Sequence, residues 1–296
     1  MPPAILALAL TMAAAAPDAA LAARVSRLFH DFVLADDNEP AYKTAVAEVQ
    51  KLFAERGLLT VAQVGDEASY TFAMLACDTS PPDARDPVLK KLRAAGGQHD
   101  VPADALTYCE VRTKHDRIKA AATRRPPVNP TLRDEIGRLF ARDQAVRLDK
   151  TVDPQSWVNV DSELHDPLER IFQQHGAPTY ALVGPEAASQ FAIMIQHQPP
   201  EFRRQVLPKL KANVDAGQGD AEVYAMMYDR AANDEGRSQR YGEHFVCDDQ
   251  HPDMHPAPIE DDAHVNERRA AIGRVRLELQ ARVIAAVFSP SPCRRR

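Results

Sequence analysis

The chain has 296 residues, 45% of them apolar, which is enough for one large domain or two ordinary ones and excludes broad disorder. A net charge of −6 leaves no general basic face for phosphates, so no nucleic acid is expected among its partners. Glycine supplies only 12 residues, and no P-loop, GxGxxG, HExxH or GxSxG pattern occurs, so no cofactor is expected.

Residues 3–16 form an uncharged Ala/Leu-rich run that is too short to span a bilayer. Small residues follow at Ala13-Ala14-Ala15 and Ala20-Leu21-Ala22. The pattern reads as a secretory signal peptide over residues 1–23, with an ordinary Ala-rich first helix as the alternative. No later run reaches membrane-spanning length. The mature chain is therefore expected to be periplasmic or secreted, with no membrane span.

Residues 24–34 read as a helix with Val25, Leu28, Phe29 and Phe32 on one face. A second helix is expected over 41–56, with Val46, Val49, Leu52 and Phe53 inward and Gly57 as its C-cap. Residues 58–64 read as a short extended piece or a loop. Asp66-Glu67 opens a helix that carries Tyr70, Phe72, Met74 and Leu75 to Cys77. Two more helices are expected near 83–95 and 102–122. Residues 124–130, RRPPVNP, read as a linker, because helices do not pass easily through such proline density.

After the linker the same frame restarts. Val25–Phe29 recurs as Ile136–Phe140, Lys51–Gly57 as Arg170–Gly176, and Val64–Ala68 as Val183–Ala187. Phe72–Leu75 recurs as Phe191–Met194, Val88–Leu92 as Val206–Leu210, and Asp104–Tyr108 as Asp220–Tyr224. The spacing of about 118 residues is domain-sized, unlike the roughly 20–50 residues of a solenoid. The expected fold class is all-α: two related helical halves from a tandem duplication (24–123 and 131–288), with an extra C-terminal helix over 265–288 and a flexible tail over 289–296.

Four cysteines, Cys77, Cys109, Cys247 and Cys293, fit disulfides in an exported chain and allow three connectivities. Cys77–Cys109 is preferred, because both sit near the middle of one repeat on successive helices. No CxxC spacing marks a zinc knuckle.

The two halves keep their apolar positions and differ at polar ones. Gln196-His197 stands opposite Cys77-Asp78, and Asp229-Arg230 opposite Thr113-Lys114. Asp143 and Arg147 are four apart on one helical face, with Gln144 beside them. His197, just before Gln198-Pro199-Pro200, is the candidate general base, with Asp143 as its orienter and Arg147 as an anion clamp. The bland alternatives are an exposed ion pair for Asp143–Arg147 and a helix-dipole cation for His197. Asp229-Arg230 reads as a local cap or a buried pair, and Tyr241-Gly242 as a turn with an aromatic anchor. The candidate ligand-binding set is Gln144, Arg147, Gln196, Arg230, Tyr241 and His244. His251 and His255 have a spacing that some metal sites use, but Pro252 and Pro256 flank them. The segment reads as a solvated loop, and no metal ligand is assigned.

Further motifs lie in order over the second half: Asp143-Gln144-xx-Arg147, Gly176-Ala177-Pro178, Val183–Ala187, Gln196-His197, Tyr224-xxxx-Asp229-Arg230, Gln239-Arg240-Tyr241-Gly242, Pro258-Ile259-Glu260-Asp261 and Val265-Asn266-xx-Arg268-Arg269 with Gly273. Residues 131–273 thereby resemble a bacterial domain-of-unknown-function family, number six-six-two-four. The family pattern continues Tyr-Gly with Thr-Gln, where this chain has Glu243-His244. The resemblance implies no known reaction, but it implies that these polar residues belong together. The function expected is a polar small-molecule or peptide binding site in the second half, with hydrolase- or lyase-like chemistry if the site is catalytic. The alternative is a non-catalytic helical module that presents a groove to a protein partner.

Overall fold

The computed structural model describes residues 16–148, 151, 153–248, 251, 253–288 and 293. Most of the expected signal run and of the C-terminal tail lies outside them. The fold is all-α, with fourteen α-helices and one two-stranded sheet among the described residues.

The first half runs α1 (Ala19–Leu34), α2 (Pro40–Arg56), α3 (Val61–Val64), α4 (Asp66–Asp78), α5 (Asp86–Gly96) and α6 (Ala103–Thr123). The second runs α7 (Pro130–Leu148), α8 (Pro154–His175), α9 (Tyr180–Val183), α10 (Pro185–Ile195), α11 (Pro200–Asp215) and α12 (Ala221–Asp234). Residues 61–64, expected as extended or loop, are helical because Thr60 and Gln63 form a capping box. Gly65 and Gly184 join the short helices to α4 and α10 at φ +84° with ψ of 165° and 161°. Only glycine enters that region at little cost.

The same local hydrogen bonds recur in both halves. Asp18 N donates to Gln63 O at 2.7 Å, and Asn129 N to Leu182 O at 2.8 Å. The side chains of Asp18 and Asn129 each cap their helix at 3.0 Å, accepting from Leu21 N and Leu132 N. Val61 N donates to Asp100 O at 2.8 Å, and Tyr180 N to Gln218 O at 3.0 Å. A buried arginine follows each central helix. Arg85 donates to Ser80 O and Asp116, and Arg203 to Gln198 O and Asp234. This last correspondence resets one register. Asp234 stands across from Asp116, so Asp229-Arg230 faces Val111-Arg112 rather than Thr113-Lys114. The sequence match at Asp104 and Asp220 slips by two residues, because Asp220 is an N-cap whereas Asp104 lies inside the first turn of α6.

Each half has its own core, centred on Tyr70, Phe72 and Leu92 in the first and on Ile136, Leu168 and Phe191 in the second. After α12, β1 (Phe245–Val246) pairs antiparallel with β2 (His255–Pro256). The expected single last helix is two, α13 (Val265–Ala270) and α14 (Leu277–Val287), broken at Gly273 with φ +74°. The C-terminal segment then crosses back. Ala270 and Leu279 are buried in the first-half core, and Val275 and Val283 pack against it. Conversely, Ile118 and Ala122 of α6 pack on the second core. The Pro-rich segment therefore separates two cores without separating two independent bodies.

Cys77 is bonded to Cys109, tying α4 to α6, and Cys247 to Cys293. The first bridge spans 32 residues, for which loop-closure entropy gives about 3–4 kcal/mol. We expect Cys77→Ala/Cys109→Ala to lose about that much stability, read from its urea midpoint, while its far-ultraviolet dichroism stays native. A loss below about 1 kcal/mol would show that the packing of α4 on α6 alone constrains this half.

Candidate functional site

The second half brings Asp143, Gln144, Arg147 and His197 together. Asp143 is buried at 1% exposure, and His197 reaches it from the turn after α10. His197 Nδ1 lies 3.2 Å from Asp143 Oδ1, and Arg147 Nε donates to the same oxygen at 3.0 Å. Gln144 Nε2 donates to Asp143 Oδ2 at 2.7 Å. Arg147 also donates to Asp161 of α8. Burial pushes the Asp143 carboxyl up, but the hydrogen bonds from His197 and Arg147 outweigh it and hold it below the usual carboxylate range. At Asp161 burial prevails over Arg147 and His197, so this carboxyl is raised.

Asp161, His165 and Gln198 were not singled out from sequence, and all three belong to this neighbourhood. His165 Nδ1 is 3.0 Å from Gln198 Oε1, and Gln198 Nε2 donates to Asp161 O at 3.1 Å. These residues line a groove of about 460 Å³, together with Val158, Ser162, His197 and Pro199. The signal was available in the comparison of the halves. Asp161 and His165 lie four apart on α8, across from Tyr42 and Val46 of α2. Asp143 lies across from Phe32 of α1. In the first half, Phe32 and Tyr42 stack with ring centroids 5.3 Å apart. The same point of the fold is thus aromatic in one half and a hydrogen-bonded ionic cluster in the other.

The turn that carries His197 is clamped from below. Arg203, buried at 4% exposure, donates to the carbonyls of Gln196 and Gln198 and to Asp234. Gln196 therefore contributes its backbone to the clamp.

Arg230, Tyr241 and His244 belong to a second neighbourhood. Tyr241 is a core residue, edge-on to Tyr228 at 5.9 Å and beneath Arg240. Arg230 is exposed, with Nε 3.7 Å from Asp234. His244 is half-buried, and its pKa is lowered by burial and by nearby Arg230. Asp229 does not pair with Arg230. It is fully buried and accepts the backbone N–H groups of Arg240 (2.7 Å), Tyr241 (3.1 Å) and Glu243 (2.9 Å). Gln239 fastens the same loop, donating to the carbonyls of His244 and Ala257 and accepting from His244 N. Arg269, fully buried, donates to Tyr241 O, and Arg268 donates to Arg240 O. The Gln239–Gly242 motif is thus the anchor of a loop: the Gln239 amide is spent on backbone partners, and the Arg240 guanidinium donates to Glu260.

One atom each from Asp143, Asp161 and His197 lies within 4.8 Å of the others, a spacing that suits a metal ion. Arg147 already bonds both carboxylates and supplies the positive charge there. What the cluster offers a ligand is therefore hydrogen bonding and proton transfer: an imidazole held by a buried carboxylate, beside a second imidazole and an amide.

None of the curated proteins and none of the solved structures matches the chain. The model of a family of unknown function, DUF6624, matches residues 130–289, which hold both neighbourhoods just described. The chain belongs to the DUF6624 family.

Proposed function

We propose that the groove between α8 and the turn after α10 is an acid–base site for a small polar ligand. The observation that carries this reading is the Asp143–His197 pair: a buried carboxylate facing Nδ1 of an imidazole that is 21% exposed and lines the groove. A proton on Nδ1 is held by Asp143, which leaves Nε2 as the base, the division of labour used in His–carboxylate catalysis. Arg147 orients Asp143 and Asp161 rather than clamping an anion. With both carboxylates ionised, the cluster carries one excess negative charge. Ligands bearing amino or hydroxyl donors fit that balance better than phosphates or carboxylates do. Hydrolysis or elimination at such a substrate is the chemistry that the pair serves.

A second reading, docking of a protein partner, is favoured by one observation. Leu148, Trp157 and Val158 expose apolar side chains near the same end of α7 and α8. The recurring caps and the matched Arg85–Asp116 and Arg203–Asp234 pairs support an origin of the two halves by duplication. The two disulfides support folding in an oxidising compartment, in keeping with export. Cleavage after Ala15 fits that reading better than cleavage after Ala22, because Asp18 caps α1 and Leu21 packs on the core.

Thermal unfolding across a panel of small amines, polyols and short peptides tests the site. We expect a stabilising compound to raise the melting temperature of the wild type and to leave His197→Ala unmoved. Without ligand, His197→Ala should cost about 0.5–1.5 kcal/mol, because it removes one hydrogen-bond partner of Asp143. Asp143→Ala should cost about 1–3 kcal/mol, because it strips partners from a buried network. Equal stabilisation of His197→Ala by every hit would remove His197 from the site.

The acid limb of the stability curve tests the electrostatics. Because its folded pKa is depressed, Asp143 contributes fully above the unfolded carboxylate pKa of about 3.9, and its contribution is lost as pH falls through the folded value. Asp143→Asn should therefore narrow its stability deficit as the pH is lowered from 6 toward about 3. A deficit that does not change with pH would mean that its carboxylate charge is not what stabilises the cluster.

A further inference from the structure

A second group of chemistry-bearing side chains lies far along the chain from this cluster. Asp248 stands two residues after the end of β1, and His255 lies in β2, paired with Val246. The Cys247–Cys293 disulfide fastens the residue next to Asp248. Asp248 Oδ1 is 2.8 Å from His251 Nδ1, and its Oδ2 is 3.0 Å from His255 Nε2. The two imidazole centroids are 4.1 Å apart. One donor atom from each of the three residues falls within 4.8 Å of the others.

From this geometry we infer that Asp248, His251 and His255 form a binding site for a divalent transition-metal ion of the zinc class. Around a tetrahedral zinc ion with bonds of about 2.0–2.1 Å, neighbouring donors stand roughly 3.3 Å apart. Each imidazole nitrogen lies within a few tenths of an ångström of that spacing from one carboxylate oxygen, His251 from Oδ1 and His255 from Oδ2. His255 Nδ1 lies 3.5 Å from the carbonyl oxygen of Asp253, which receives the Nδ1 proton and turns the Nε2 lone pair toward Asp248. That arrangement is the usual outer support of a metal-binding histidine. Two imidazoles and one carboxylate prefer zinc, copper or nickel to magnesium or calcium, and three protein ligands leave a position open. His251 is exposed and His255 lies at the surface in a two-residue strand, so either can be removed without opening a core.

Isothermal titration of the untagged protein with zinc, and with magnesium and calcium as controls, tests the site. We expect one zinc ion per chain and no saturable magnesium or calcium binding. His251→Ala and His255→Ala should each weaken zinc binding by about tenfold or more, with unchanged circular dichroism, and His197→Ala should bind like the wild type. The inference is overturned if zinc does not bind saturably or if both surface variants bind it unchanged. Loss of binding in His197→Ala alone would also overturn it, since the ion would then belong to the Asp143 cluster.

Discussion

One buried guanidinium holds the turn on which the candidate site depends. Arg203 lies in the first turn of α11 and reaches back to the carbonyl of Gln196, the C-cap of α10, and to that of Gln198 in the turn that follows. Helix ends leave such carbonyls without intrahelical partners, and here the chain buries them. Asp234 balances the charge of Arg203 from the end of α12. Taking both charges out of water costs several kcal/mol, which the bonds to carboxylate and carbonyl offset. The return is geometric: residues 196–198 have one path, and His197 faces Asp143 along it. Arg85 and Asp116 do the same in the first half. There the residue in place of His197 is Asp78, which accepts a bond from Tyr108 at 2.6 Å.

The joint between the halves is built from arginine as well. Arg276 bonds Asp104 and Asp66 and lies 4.4 Å from the Tyr70 ring centroid, all in the first half. Arg274 bonds Glu222 at the start of α12 and Glu243 in the anchored loop, and Arg112 of α6 meets the same Glu222. Two arginines of the α13–α14 turn, with Arg112 of α6, thus fasten the loop and the second half to the first. Arg269 inside α13 completes the attachment by bonding Val275 O and Tyr241 O. The family motifs between residues 229 and 273 are largely this fastening, which is why they hold together in space without lining a groove.

Much of this was legible in the sequence. Apolar periodicity located the long helices, because their buried faces repeat at helical spacing. The comparison of the halves exposed Asp143 and His197, because the polar residues of the second half differ from those of the first while the apolar frame stays constant. It reached Asp161 and His165 only in principle, since α2 and α8 share few identities near their starts. Tyr241 and Asp229 were left with two readings for a different reason. A tyrosine beside glycine and a carboxylate beside arginine look alike whether they face a ligand or the backbone of a neighbouring loop. The return of α14 to the first core left no local trace, because Leu279 and Val283 are satisfied by any apolar surface of the right shape.

The substitution of a stacked Phe32–Tyr42 pair by an ionic cluster bears on what the second half is for. An aromatic pair at this point fills the space between α1 and α2 and needs no partners beyond van der Waals contact. Placing Asp143, Arg147 and Asp161 there instead demands that each charge be met, and a stability argument alone favours the aromatic pair. The cluster meets its carboxylates with Arg147, Gln144 and a histidine recruited from another element, and that histidine is left partly open to a groove. A purely structural network would close over its members. This one stops at an imidazole edge, with a second imidazole and an amide lining the same groove, and that opening is what supports the proposed acid–base site.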